Sequence, residues 1–305
     1  MELRYIEFNG DKISKLSMGT VQFGLDYGVA NSIGKPTQKS VNEIVEYVYN
    51  NGGVNCLDTA QAYGNSEKVL GESITNKEDL FVISKLKSNL FEENLQINID
   101  NSLKNLKIKK LYALLLHDSE LLYRWGDKHT SLVRNLVATD KIEYFGVSIY
   151  NEEDFNLALK NENIKIIQIP FNIFDQRAVT KRWLKRSKEK NKLIFIRSIF
   201  LQGLFFMNLD ALEGSLMEAR KYLDKFNQVK NSLKLSTVEL AMSYVDSVAD
   251  GSILLFGCDT LEQAKENIEL YNRLPKLDKE TIITIENEFR DIEESITNPT
   301  LWKLK

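Results

Sequence analysis

Eight short apolar runs constrain the fold of this 305-residue chain more than any other feature. The runs lie at about residues 16–20, 54–58, 81–86, 111–117, 142–148, 165–171, 193–198 and 252–257. They are almost continuously apolar, as parallel strands covered on both faces should be, and they alternate with helical patterns. Eight strand–helix units predict a (β/α)8 barrel, an α/β fold, and we expect one domain over residues 1–305.

Helix signals fill the stretches between the runs. A helix is predicted after the first run, with Ser40 as its N-cap and Gly52 and Gly53 at its C-terminal end. Residues 151–160 begin with acids and end with a lysine, which suits the dipole of a helix. The long gap before the last run leaves room for an extra helix at about residues 210–231.

The two ends of the chain lie outside the repeating units. At the N-terminus, the segment LRYIEFNGDKISKLS carries an Asn-Gly turn between alternating residues, which predicts a β-hairpin. Such a hairpin is well placed to close the N-terminal mouth of the barrel. The tail from about residue 278 predicts one or two surface helices.

The overall composition excludes several classes of partner. Hydrophobic residues make up 43% of the chain, charged residues make up 27%, and the net charge is -3. This balance and the lack of a long apolar run predict no nucleic-acid or membrane partner. The N-terminus lacks the apolar core of a signal peptide, so we expect a cytoplasmic monomer or simple homo-oligomer.

Metal and phosphate-loop chemistry find little support in the sequence. Two cysteines and two histidines are too few for a usual zinc site, and we predict no metal. No G-x-G-x-x-G motif occurs, so a dinucleotide would have to bind without a Rossmann loop. The basic stretch at residues 181–190 is typical of a solvated helix face.

Four chemically active side chains fall at or just after consecutive strand ends. Asp58 ends the second predicted strand, Lys85 lies in the third, His117 ends the fourth, and Tyr63 follows Asp58 in its loop. Each taken alone is more often a structural residue. Because catalytic groups of barrels collect at the C-terminal ends of strands, the four together predict an active site.

This set of residues is suited to protonating a carbonyl oxygen. A free tyrosine has a pKa near ~10, and a neighbouring ammonium lowers that pKa. We expect Lys85 to supply this charge while Asp58 holds the ammonium in place. A neutral His117 would orient the carbonyl oxygen beside the Tyr63 hydroxyl while hydride arrives at carbon.

The motifs around these residues resemble those of the aldo/keto reductase family, a family of NAD(P)-dependent (β/α)8 barrels. The similar segments, in chain order, are MGTVQFG, LDTAQAYGNSE, ISKL, LLLHD, FGVSIYN, IQIPFN and LFGCDTLEQAKEN. The resemblance implies a catalytic tetrad of Asp58, Tyr63, Lys85 and His117, with Tyr63 as general acid. Ser66 is expected to cap the helix after Tyr63.

The same resemblance implies the residues that hold the cofactor. Those expected around the nicotinamide are Gly19, Thr20, Ser148, Gln168 and Arg197. Those expected at the pyrophosphate are Ser198, Leu201 and Gly203. Those expected at the adenosine end are Gly257, Cys258, Asp259, Thr260, Gln263, Glu266 and Asn267.

Three positions depart from the common pattern of the family. Ile149 stands where many relatives have Asn, and Arg197 stands where an aromatic ring often stacks on the nicotinamide. Asp259 stands where many NADPH-dependent relatives have a basic residue for the 2′-phosphate. An acid there repels a phosphate and accepts a ribose hydroxyl, so the cofactor is either NADPH, the family default, or NADH.

The substrate is expected to be a small carbonyl compound. The polar and aromatic residues expected to surround it are Tyr27, Trp125, Phe171 and Asn172. Such a pocket suits a sugar, and VQFGLDYGVAN resembles a bacterial branch linked to surface polysaccharides and unusual sugars. Two alternatives remain open: a lyase or aldolase that forms a Schiff base on Lys85, and a non-catalytic nucleotide-binding barrel.

Overall fold

The computed structural model describes residues 3–74 and 79–303. Its strands are β1 (Tyr5–Phe8), β2 (Asp11–Ser14), β3 (Leu16–Gly19), β4 (Cys56–Asp58), β5 (Phe81–Leu86), β6 (Leu111–Leu116), β7 (Ile142–Ser148), β8 (Ile164–Pro170), β9 (Leu193–Arg197) and β10 (Ile253–Phe256). Strands β3 to β10 form a closed parallel barrel in sequence order, with β10 paired to β3. The predicted (β/α)8 barrel is confirmed, and the ends of its strands agree with the prediction to within two residues.

Helices connect the strands and cover the outside of the barrel. They are α1 (Val21–Gly24), α2 (Gln38–Asn50), α3 (Ser66–Ser73), α4 (Ser88–Leu106), α5 (Asp127–Ala138), α6 (Glu152–Lys160), α7 (Arg177–Thr180), α8 (Trp183–Glu189), α9 (Arg220–Ser232), α10 (Thr237–Val248), α11 (Leu261–Asn272), α12 (Lys279–Glu288) and α13 (Glu294–Thr297). Short 3₁₀ helices span Glu120–Arg124, Leu201–Phe206, Leu209–Ala211, Gly214–Ala219 and Pro299–Leu301. Within the described residues, no helix combines the length and the apolar character that a membrane crossing requires.

Two apolar layers hold the barrel together. The inner layer fills the barrel with alternate strand residues such as Ile83, Leu115 and Phe195. The outer layer packs the other face of each strand against the helices. Because every barrel strand is covered on both faces, its sequence is apolar throughout, which explains why the eight runs are visible in the sequence.

The N-terminal hairpin closes one end of the barrel. Asn9 and Gly10 both have positive φ angles, as a tight two-residue turn between antiparallel strands requires. Phe8 and Ile13 extend from the hairpin into the inner apolar layer. The hairpin therefore seals the N-terminal mouth, as predicted, and leaves the opposite mouth for a site.

The helix boundaries correct two details of the sequence analysis. The N-cap of α2 lies three residues before the predicted cap Ser40, because Thr37 accepts a hydrogen bond from the backbone N–H of Ser40, and the helix begins at Gln38. The extra helix before β10 starts later than predicted, because 3₁₀ turns occupy most of the first part of that segment and α9 begins at Arg220. Helix α6 and its cap Asn151 lie where the acids and lysine predict.

Candidate active site

A cavity of about 710 Å³ opens at the C-terminal ends of the barrel strands. Ligand pockets typically measure about 300–1,000 Å³, and barrels carry their sites at this end. The ends of six strands contribute to its wall, through Gly19, Asp58, Ser148, Gln168, Arg197 and Phe256. The cavity is therefore placed where the strand-end residues predict a site.

A buried ion pair lies at the floor of the cavity. Lys85 is fully buried, and its Nζ donates to Asp58 Oδ2 at 2.5 Å and to the Thr59 carbonyl at 2.9 Å. Gln168 Nε2 donates to the other carboxylate oxygen of Asp58 at 2.8 Å. Asp58 is thus held from two sides, and Gln168, expected at the nicotinamide, also supports the ion pair.

Tyr63 and His117 stand above this ion pair. The Tyr63 hydroxyl lies 3.4 Å from Lys85 Nζ, and the rings of Tyr63 and His117 meet edge to face with centroids 5.4 Å apart. Both rings line the cavity, whereas Lys85 lies beneath it. The structure therefore brings together all four residues of the predicted tetrad.

The electrostatics of Tyr63 differ from the expectation. Burial of the phenol, followed by the nearby charge of Asp58, raises the pKa of Tyr63 above its usual value, and Arg197 opposes this rise. The expected lowering by Lys85 does not occur, because Asp58 neutralises the ammonium. Burial also lowers the pKa of Lys85 itself. Tyr63 therefore keeps its proton near neutral pH, which is the form that an acid must have.

His117 is neutral near neutral pH. Burial, with the positive charges of Lys85 and Arg197, lowers the pKa of His117 to about 4. The Nδ1 atom of its ring is buried and has no hydrogen-bond partner among the described residues. The predicted neutral imidazole is thus consistent with its surroundings.

Close contact between two loops fixes the position of Tyr63. A Cβ added to Gly24 would lie 1.7 Å from the Tyr63 carbonyl oxygen, and one added to Gly64 would lie 2.5 Å from the Gly24 carbonyl oxygen. Ser66 Oγ donates to the Thr20 carbonyl at 2.7 Å rather than capping α3, where Asn65 occupies the N-cap position. The predicted cap role of Ser66 is therefore wrong, and Ser66 ties the two loops together.

The far end of the cavity carries acids and amides. Asn31 Nδ2 donates to Asp259 Oδ1 at 3.3 Å, and Gln263 Oε1 accepts from the Asp259 backbone N–H at 2.7 Å. Burial raises the pKa of Asp259. Glu266 and Asn267 complete this end, and none of the described residues that line it is a lysine or arginine.

The loop after β9 has an unusual backbone. Ser198, Leu201, Gln202 and Gly203 all have φ angles between 47° and 91°. Hydrogen bonds within the loop hold this shape: the Leu201 N–H donates to the Ser198 carbonyl at 2.9 Å, and the Gly203 N–H donates to the Phe200 carbonyl at 3.0 Å. The Val29 N–H donates to the Gln202 carbonyl at 2.9 Å, so the loop after β3 crosses to this loop.

Most of the predicted cofactor residues line the cavity. These are Gly19, Thr20, Ser148, Gln168, Arg197, Ser198, Gly203, Gly257, Asp259, Gln263, Glu266 and Asn267. Leu201 and Cys258 do not line it, because their side chains are buried in the apolar layer outside the barrel. Ile149 is also fully buried, and its carbonyl accepts from Arg197.

Only one of the four predicted substrate residues lines the cavity. Tyr27 lines the cavity. Trp125 does not, because its ring packs against Phe91 and Phe145. Phe171 and Asn172 are fully buried structural residues.

Asn172 supports the cavity indirectly, since its Nδ2 donates to the Ser198 carbonyl at 2.9 Å. Residues that the sequence analysis did not assign also line the cavity: Gln22, Tyr150, Phe200, Gln202, Phe206 and Thr300. Tyr150 follows a strand end directly, and that position is the signal that could have found it.

A sequence profile described as "Aldo/keto reductase family" matches residues 15–287. The chain belongs to the aldo/keto reductase family. It is 27% identical over 180 residues to an uncharacterized oxidoreductase of Schizosaccharomyces pombe, and the match covers 52% of this chain and 51% of that protein. The chain thus spans about half the length of this curated relative. The predicted membership of the aldo/keto reductase family is confirmed.

Solved structures share the fold of this aldo/keto reductase. The aldo-keto reductase AKR11C1 from Bacillus halodurans superposes with a TM-score of 0.78 at 18% identity, covering 99% of this chain and 100% of that one. The glycerol dehydrogenase AKR11B4 from Gluconobacter oxydans gives 0.73 at 18% identity, with 98% and 97% covered. An aldo-keto reductase from Klebsiella pneumoniae in complex with NADPH gives 0.69 at 17% identity, with 95% and 96% covered.

The residues of the cavity fit a nicotinamide dinucleotide. Its wall includes neutral amides and hydroxyls, such as those of Gln22, Ser148 and Asn267, which suit a carboxamide and ribose hydroxyls. Gln22 Oε1 is a buried acceptor without a partner among the described residues.

Proposed function

We propose that the protein reduces the carbonyl group of a small aldehyde or ketone to an alcohol, with Tyr63 as general acid. The observation that carries this proposal is the Tyr63 hydroxyl, placed in a cavity 3.4 Å above the buried Lys85–Asp58 pair and beside neutral His117. When bound, a reduced nicotinamide supplies the hydride for the carbonyl carbon. The carbonyl oxygen takes the proton from Tyr63 Oη, so the product is an alcohol.

The four residues of the tetrad have different roles in the transfer of the proton. Tyr63 is protonated because its pKa is raised, and His117 has a neutral ring that can hydrogen-bond the carbonyl oxygen. After Tyr63 gives up its proton, Lys85 Nζ is the adjacent donor that stabilises the phenolate. Asp58 keeps that ammonium in position from below.

The surroundings of Lys85 count against the Schiff-base alternative. A lysine nucleophile must reach the substrate carbonyl with a free amine. Lys85 is fully buried beneath Tyr63, and its Nζ already binds Asp58, the Thr59 carbonyl and the Tyr63 hydroxyl. Borohydride trapping of a substrate adduct on Lys85 would favour the lyase or aldolase instead.

The test of the function is direct binding followed by turnover. NADH and NADPH are titrated against the protein by nucleotide fluorescence, and oxidation is then followed with a panel of aldehydes, ketones and keto-sugars. We expect binding of a reduced nucleotide and carbonyl-dependent oxidation of it. Failure of both nucleotides to bind would remove the basis of the proposal, whereas binding without turnover on any carbonyl would favour the non-catalytic barrel.

For the cofactor, we propose a preference for NADH over NADPH. Asp259 and Glu266 lie at the far end of the cavity, and the described lining residues there offer no cation for a 2′-phosphate. A carboxylate repels a phosphate and accepts a ribose hydroxyl. The family default, NADPH, is the opposing expectation.

Reversing one charge tests this preference. In Asp259→Arg, we expect the ratio of the NADPH Kd to the NADH Kd to fall by about tenfold or more, since about 1.4 kcal/mol corresponds to tenfold. The matched control is Glu262→Arg, which changes the same charge on the exposed face of α11 outside the cavity. An unchanged ratio in Asp259→Arg would show that this residue does not select the cofactor.

The polar, aromatic wall around Tyr27 and Tyr150 supports a polar substrate, and a keto-sugar is the class we propose for the panel. Its place in a bacterial surface-polysaccharide or unusual-sugar pathway stays a prediction. The cytoplasmic location and the single-domain organisation also stay predictions.

A further inference from the structure

Arg197, at the end of β9, presents a cation to the reacting end of the cavity. Its guanidinium lies over the ring of Tyr150, with the Cζ atom 4.0 Å from the ring centroid. Nη2 donates to the Ile149 carbonyl at 3.1 Å, and Nη1 donates to Ser198 Oγ at 3.3 Å. An aromatic face and two neutral oxygens therefore hold the group in place.

None of these contacts neutralises the charge of Arg197. Within residues 3–74 and 79–303, the salt bridges include no carboxylate partner for Arg197. Partly burying a charge costs free energy unless an opposite charge and hydrogen bonds compensate. Guanidinium groups also carry five N–H donors in a planar fork, which is the geometry that binds a carboxylate with two bonds.

The unbalanced charge lies close to the reacting groups. Arg197 contributes to the lowering of the pKa of His117 and of Lys85, and it opposes the rise in the pKa of Tyr63. At this end Lys85 is paired with Asp58 and His117 is neutral, so Arg197 leaves a net positive charge. The far end carries the acids Asp259 and Glu266 instead. The cavity is therefore positively charged at the end that contains Arg197 and Tyr63, and negatively charged at the end that contains Asp259 and Glu266.

We propose that Arg197 binds a carboxylate of the substrate, so that the protein reduces an oxo acid, such as a semialdehyde acid or a sugar acid. This assignment rests on the proposed carbonyl reduction and names its substrate class. Tyr63 and His117 hold the carbonyl oxygen, and the Arg197 fork holds the carboxylate against Tyr150. The role differs from the expectation that Arg197 stacks on the nicotinamide.

Matched substrates that differ only in charge test the proposal. The pairs are 4-oxobutanoate with its primary amide, and glucuronate with glucuronamide. For the wild-type protein, we expect kcat/KM for the acid to exceed that for the amide by about 10–100-fold, the range of a charge-assisted bidentate contact. In Arg197→Met this ratio should fall to about one, and in Arg197→Lys to an intermediate value, because the charge stays and the fork is lost.

A control variant separates this effect from a general change of charge. Lys35→Met removes an exposed cation of the same rim whose Nζ contacts Asn65 Oδ1 at 2.5 Å and which does not line the cavity. The acid-to-amide ratio of this variant should match that of the wild type. Equal kcat/KM for acid and amide in the wild-type protein would overturn the proposal.

Binding measurements keep this result distinct from failure of the proposed function. With reduced cofactor present, the non-reacting butanoate should raise the melting temperature of the wild-type protein more than butanamide does, and Arg197→Met should lose this difference. That outcome supports the carboxylate site even if no carbonyl is turned over. If Arg197→Met instead weakens the cofactor Kd and keeps the acid-to-amide difference, Arg197 serves the cofactor and the assignment is wrong.

Discussion

Among residues 3–74 and 79–303, two buried lysine–aspartate pairs each have a tyrosine beside them, at different places in the fold. Lys85 and Asp58 lie at the cavity, with Nζ and Oδ2 2.5 Å apart. Lys15 and Asp246 lie next to the N-terminal hairpin, with Nζ and Oδ1 2.9 Å apart, and both side chains are 5% exposed. The residue types and the burial are nearly the same, so neither feature separates a reactive site from a structural one.

The partners of the two pairs differ. Asp246 also accepts from Arg4 at 2.8 Å and from the Tyr271 hydroxyl at 3.2 Å, and its pKa is lowered although burial opposes this. Tyr271 is 1% exposed and does not line the cavity. The Tyr63 hydroxyl, in contrast, faces a cavity beside a histidine ring. The hairpin-side cluster (Arg4, Lys15, Asp246 and Tyr271) is therefore enclosed by its own contacts. The cavity-side cluster (Asp58, Tyr63, Lys85 and His117) is open to the cavity on one side.

Removing each tyrosine hydroxyl should give the largest contrast. We expect Tyr63→Phe to lower kcat by about 10²–10⁴-fold, the usual contribution of a general acid, with the fold intact. Tyr271→Phe should leave kcat unchanged and cost about 0.5–1.5 kcal/mol of stability, because it removes one hydrogen bond to Asp246. Steady-state kinetics and urea unfolding of both variants check this, and full turnover by Tyr63→Phe would refute the assigned acid.

Removing each lysine should separate stability from activity. In Lys85→Met, Asp58 loses its cation, and we expect a loss of about 3–5 kcal/mol in the free energy of unfolding together with loss of turnover. In Lys15→Met, Asp246 keeps Arg4, so the expected loss is only about 1–3 kcal/mol and the folded protein stays active. Equal destabilisation in the two variants, measured by urea unfolding, would show that Arg4 does not compensate.

His117 should make the cavity side sensitive to acid. Its pKa in the folded protein is about 4, below the ordinary value near ~6.5, so the unfolded chain binds the proton more readily between these values. The wild-type protein should therefore lose stability as the pH falls through this window, by about 3 kcal/mol in total, with no change from this group above pH ~7.

The comparison that checks this is the wild-type protein against His117→Gln. The stability difference between them should shift in favour of the variant as the pH is lowered from 7 to 4 in urea unfolding. A difference independent of pH would contradict the lowered pKa of His117.

The barrel and the tetrad could be predicted because they leave local marks in the sequence. Strands buried on both faces are apolar throughout, and Asp58, Lys85 and His117 fall at or near strand ends by simple position. The roles that could not be predicted depend on contacts distant in sequence. Trp125 and Phe171 have aromatic side chains that suit a pocket, but Phe171 is buried in the apolar core and Trp125 packs against it.

Local sequence signals gave wrong predictions where two residues, or two roles of one residue, were chemically equivalent. Ser40 and Thr37 are both suitable helix caps, and only the backbone path selects Thr37. Ser66 has the residue type of a cap, but its hydroxyl contacts Thr20, which is 46 positions away. The pKa of Tyr63 depends on burial and on the neutralisation of Lys85, neither of which spacing reveals.

The contact between Gly24 and Gly64 limits how this protein can be recombined with its relatives. The two loops approach so closely that neither Gly24 nor Gly64 leaves room for a side chain. A segment exchange that ends between residues 24 and 64 would therefore combine two loops from different proteins at this contact. A chimera that transfers the residues from Gly19 to Ser66 together carries the contact, the Thr20–Ser66 bond and Tyr63 as a unit. We therefore expect an exchange of this whole block, with Tyr63 included, to preserve folding better than an exchange that ends within it.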